Sequence, residues 1–161
     1  MTDLTPANDD LDAAAHRRLG AALFNHVWSL LETAERTASQ VDEMIHAAHA
    51  SRFHWSRAGT TVNQARGEWQ CSRVYAVLGR AEPALWHARR CVEYAEAATK
   101  AGEAGDWDLP SAHEAMARAC AVAGDQSEAR RWHDLALDGL TRVTDAEDRR
   151  IIEQDLATLP L

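Results

Sequence analysis

At several places along this chain a Ser, Thr or Asp is followed three positions later by a side chain able to reach back to its backbone amide, among them Ser39/Asp42, Thr61/Gln64, Ser111/Glu114, Asp125/Glu128 and Thr144/Glu147. Such reciprocal pairs satisfy amides that a new helix leaves open, so each reads as a helix start. Gly59, Gly79, Gly102 and Gly124 read as stops, because a residue without Cβ closes a helix in the left-handed conformation at little cost. Together these signals predict about seven helices, at 10–37, 40–58, 62–78, 82–101, 110–123, 126–142 and 145–157. The short connections between them pack successive helices as antiparallel hairpins. Composition agrees: Ala fills 32 positions and Val plus Ile only 11, an imbalance that favours helix over sheet. The expected fold class is all-α. At 161 residues the chain suits one helical domain over 10–161, with 1–9 frayed. Gly102 to Leu109, ahead of Pro110, reads as a surface loop inside that domain, and its Trp107 as the tryptophan expected to be partly exposed and to touch a partner.

Charge narrows the partners. The formal net charge is −8, and Lys100 is the single lysine among 17 basic residues, which disfavours nucleic acid and anionic membranes. No apolar run approaches the roughly 20 residues of a spanning helix. Cys71, Cys91 and Cys120 form an odd, widely spaced set and read as reduced thiols in a helical core. With no basic region and apolar stretch at the N-terminus, the expected compartment is the cytoplasm.

Leu78-Gly79-Arg80-Ala81-Glu82-Pro83-Ala84 overlays Ala123-Gly124-Asp125-Gln126-Ser127-Glu128-Ala129 with a period of 45 residues. Each copy is a helix end, a glycine turn and a helix start. Ser72, Tyr75, Gly79 and Ala84 place a small residue, a large one three positions on, a glycine turn and an alanine in an order that resembles the tetratricopeptide repeat. In the second copy Ala117 and Gly124 comply, Cys120 stands where an aromatic is usual, and the period exceeds the usual ~34 residues. The resemblance covers about 62–140 and implies a right-handed array of hairpins; an irregular helical bundle is the other architecture. It also implies a ligand on a concave face formed by the first helix of each pair, which presents Arg66, Trp69 and Arg73 from the third helix and Glu114 and Arg118 from the fifth.

The residues themselves point the same way, since Arg66, Trp69 and Arg73 share one helical face and an Arg–aromatic–Arg surface suits a carboxylate beside an apolar group. A binding module for a peptide or a small carboxylate-bearing ligand is one functional reading, with internal pairing of those arginines as its structural counterpart. The other is a helical metalloprotein. Eight histidines are present, and His46 and His49 lie on one face of the second helix with Asp42. Two imidazoles there could bind Zn, Cu, Fe or Ni, with Asp42 orienting His46 and with Glu68, Cys71, His87 or His113 completing the set from another helix. No nucleophile elbow, phosphate loop, zincin or EF-hand pattern occurs.

Overall fold

The structure, a computed structural model, describes residues 11–161, so the expected frayed segment 1–9 lies outside them. Seven helices run in order: α1 Ala13–Leu31, α2 Ala38–Ala58, α3 Thr61–Val77, α4 Ala81–Ala101, α5 Asp108–Val122, α6 Gln126–Leu140 and α7 Ala146–Ala157. There is no strand among the described residues, and the fold is all-α.

The helix boundaries show which local signals act. Thr37 and Gln40 form the reciprocal cap of α2, and Thr60 and Asn63 that of α3. Each lies one or two residues before the pair expected from sequence. Asp125 caps α6 as expected, whereas Asp145, not Thr144, caps α7. The first helix ends six residues early with no glycine to mark it. There the Arg36 guanidinium donates to the carbonyls of Leu30, Leu31 and Thr33 at 3.0, 3.1 and 2.7 Å, satisfying the open acceptors of the helix end.

Ser111/Glu114 caps nothing. α5 starts at Asp108, and Pro110 sits in its first turn, where its missing N–H costs no hydrogen bond. Gly59 ends α2 in an extended conformation, while Gly79, Gly102 and Gly124 have φ of +69°, +73° and +83°. At Gly79 a Cβ would meet nothing within 4 Å, so only the backbone conformation resists a side chain there. Gly79→Val should therefore cost about 1–2 kcal/mol in urea unfolding, and Gly79→Asn less. A wild-type midpoint for the valine variant would contradict the left-handed closure.

Small residues let the helices approach closely: Ala84, Ala88, Ala112, Ala117, Ala129 and Ala136 are fully buried. Ser72 adds a hydrogen bond across the α3–α4 crossing, donating to the Ala84 carbonyl at 2.9 Å. The odd-numbered helices touch one another in sequence, α1 to α3, α3 to α5 and α5 to α7. α2, α4 and α6 meet only their neighbours in the chain. Three apolar clusters result. One joins α1, α2 and α3 around Val27, Met44, Cys71 and Val74; the largest joins α3 to α6; a third joins α6 and α7 around Ala136, Val143 and Ile152. No helix among the described residues is long and apolar enough to cross a membrane.

Candidate functional site

Because the odd-numbered helices pack side by side, their inward faces enclose a shared cavity of about 250 Å³. Phe24 and Trp28 of α1, Arg66 and Trp69 of α3, Trp107 and Asp108 at the start of α5, and Asp148, Ile151 and Asp155 of α7 line it. Its aromatic wall is held in place from both sides. The Trp28 and Trp69 rings lie 5.4 Å apart, and the Arg73 guanidinium sits 5.0 Å from the other ring centroid of the pair, that of Trp69. Trp107 is half-buried under the Arg66 guanidinium at 4.3 Å, a cation–π contact, and so is partly exposed as expected from sequence. It is not the most exposed tryptophan, since Trp86 on α4 is 58% exposed.

The arginines expected to meet a ligand have partners inside the protein. Arg66 makes a two-pronged contact with Asp108 at 2.9 and 3.1 Å. Arg73 reaches Glu114 at 3.3 Å and Asp155 at 2.9 Å. Arg118 donates to Glu114 at 2.7 Å, to the Asp155 carbonyl at 2.7 Å and to the Thr158 hydroxyl at 2.9 Å. Glu114 is thus a buried anchor joining α3, α5 and α7, and neither it nor Arg118 lines the cavity. Of the five residues expected on this face, Arg66 and Trp69 do. Asp148 also lies at the rim: burial, then the neighbouring Asp145 and Asp106, raise its pKa above the ordinary value, against the Arg66 charge that lowers it.

A second cluster forms where α2, α3 and α4 meet. One donor atom each from His49, Cys71 and His87 lies within 4.8 Å of the others. The rings are fixed by further contacts. His87 Nδ1 is 2.6 Å from Glu68 Oε2, and the ring stacks on Tyr75 at 5.8 Å with planes 8° apart. His49 Nε2 is 2.8 Å from the Tyr75 hydroxyl. Glu68 also accepts from Arg52 Nε at 2.8 Å; burial raises its pKa, but the His87 hydrogen bond and the two positive partners outweigh that and lower it. Burial first, and then repulsion from His87, lower the pKa of His49 and favour the neutral ring. Burial holds the Cys71 thiol protonated, well above its ordinary range.

His46 and Asp42 stand apart from this cluster and are exposed. The reason lies in the helix wheel. The buried residues of α2 are Met44, Ala47, Ala48 and Ser51. His49 and His46 both lie about 150° from the centre of that face but on opposite sides of it: His49 is on the side of Ile45 and Arg52, which meets α3, and His46 is on the side turned away from it. His113 is elsewhere too, packed on Trp132 with centroids 5.6 Å apart. Glu68, Cys71 and His87 are brought together with His49. Tyr75 and Arg52 were not singled out in the sequence for this role, and only their one-turn spacing from Cys71 and His49 hinted at it.

Comparison of the chain with protein-family models, with curated proteins and with solved structures gave no match in any of the three.

Proposed function

We propose that this chain is a helical binding module that receives a peptide side chain or a small ligand in the inner cavity, and that the group taken there is flat, apolar and positively charged at one end. The observation that carries this reading is the cavity itself, walled by Phe24, Trp28, Trp69 and Trp107 with Asp148 and Asp155 beside them. Aromatic faces attract an organic cation, and a volume of about 250 Å³ suits one aromatic ring or amino-acid side chain. A carboxylate-bearing occupant would have to compete with Asp108 for Arg66, and with Glu114 and Asp155 for Arg73. The contacts from odd helix to odd helix support a tetratricopeptide-like array with its ligand on the inner face. Three buried free cysteines are in keeping with a reducing, cytoplasmic setting.

Titrations with phenethylammonium and with 3-phenylpropionate, followed by tryptophan fluorescence and by ligand NMR, test the reading. The ammonium compound is expected to bind saturably, Trp69→Ala to abolish binding and Asp148→Asn to weaken it several-fold. Affinity should fall as the solution is acidified, because Asp148, whose pKa is raised, takes up its proton sooner than an ordinary aspartate and the cation then loses its partner. Preference for the carboxylate, lost in Arg66→Gln, would transfer the site to an acid-bearing ligand. Saturation by neither compound would remove the cavity as a binding site.

A further inference from the structure

We infer that His49, Cys71 and His87 form a binding site for a transition metal of borderline softness, zinc above all, independent of the inner cavity. Two imidazoles and a thiolate match the preferences of zinc and copper, and exclude magnesium and calcium, which select oxygen donors. The donors come from three helices, α2, α3 and α4, so their convergence is a property of the packed fold and not of one sequence motif.

The surroundings are those a metal site uses. A ligating histidine is ordinarily held by a carboxylate on its other nitrogen, and Glu68 holds His87 Nδ1 at 2.6 Å, leaving Nε2 for the ion. Arg52 in turn fixes Glu68 at 2.8 Å, and the Tyr75 hydroxyl fixes His49 at 2.8 Å. Donors on a tetrahedral ion at 2.0–2.3 Å lie roughly 3.4–3.8 Å apart. One donor atom of each residue lies within 4.8 Å of the others, so ligation requires the three side chains to draw together by about 1 Å. On binding, the Sγ–H bond of Cys71 breaks, its proton passes to solvent, and the thiolate electron pair forms the bond to the ion. Three protein donors leave one tetrahedral corner for water or a small ligand.

The test uses the whole reduced chain, stripped by a chelator and titrated with zinc by calorimetry and with cobalt(II) by absorption. The expected result is one equivalent of zinc and, for cobalt, a thiolate-to-metal charge-transfer band. Cys71→Ser should remove that band, while His49→Ala and His87→Ala should each lower zinc affinity at least tenfold. Glu68→Gln should lower it by about 10–100-fold. His46→Ala and His113→Ala should leave it unchanged. Far-ultraviolet circular dichroism of each variant reports folding. If Cys71→Ser does not fold, the two partly exposed histidine variants carry the test. Absence of stoichiometric uptake by the wild type, or wild-type affinity in a folded His49→Ala/His87→Ala double variant, overturns the site. Loss of uptake in His46→Ala would overturn this choice of ligands.

Discussion

Replacing Glu114 with alanine is expected to lower the free energy of unfolding by about 3 kcal/mol, read as a shift of the urea midpoint at constant slope. The carboxylate is 1% exposed, and the side chains of Arg73 and Arg118 that it joins are 12% and 11% exposed. Removing it leaves two guanidinium groups largely out of water, Arg73 with the Asp155 carboxylate and Arg118 with only the neutral Asp155 carbonyl and Thr158 hydroxyl that it already contacts. Breaking a buried ion pair from one side typically costs 3–5 kcal/mol, and the slight exposure of both arginines sets the expectation at the lower end. Glu114→Gln should cost less, since the amide oxygen can still accept from one arginine. The loss would not be confined to α5, because the same network holds α7 through Asp155 and Thr158. A drop below about 1 kcal/mol would show that the arginines regain full hydration and that the network does not bind the helices together.

Met44→Ala should also cost about 2–5 kcal/mol. Met44 is fully buried and packs with Val27, Leu30, Cys71 and Val74 at the junction of α1, α2 and α3. Truncation removes the transfer energy of the side chain and leaves a void that the surrounding helices fill only in part. Cys71 belongs to the same cluster, so the substitution should loosen the seating of α2 on α3 and weaken zinc uptake along with stability. The inner cavity is lined from other helix faces and should keep its ligand affinity at temperatures where the variant is folded. Stability within about 1 kcal/mol of wild type would mean that the cluster repacks without a void.

These two residues also mark how far the sequence could be read. The helix count and the all-α class were legible because caps, glycine stops and alanine content are local signals that agree with one another. The end of α1 was not, because Arg36 closes it with a side chain where glycine is the usual sign. Glu114 was read as a cap from its spacing to Ser111, yet its partner Arg73 lies 41 residues away and is selected by the register of α3 against α5. Such pairings depend on packing and leave no short pattern. The His/Cys cluster was half legible. Cys71, His87 and Glu68 were eligible donors by chemistry, and His49 by position, but His46 was placed with them because the wheel fixes relative angles without showing which side is solvent. Nothing in the sequence marks Asp148, since its helix becomes a cavity wall only after α7 folds back on α5.

The three separate apolar clusters bear on how the chain comes apart. Contacts run mainly between helices close in sequence, so opening one end need not disrupt the other, and folding can spread from α3 in both directions. Amide hydrogens in α3 to α5 should then exchange with solvent most slowly, while α1 with α2 opens as one unit and α6 as another. α7 is the exception among terminal segments, since an ion pair to α3 and a hydrogen bond from Arg118 of α5 fasten it. A chain built this way can lose its first hairpin, and with it His49, while the glutamate-centred clasp still holds α3, α5 and α7 together, so local breathing at the N-terminal end becomes a means of releasing a metal without releasing the fold.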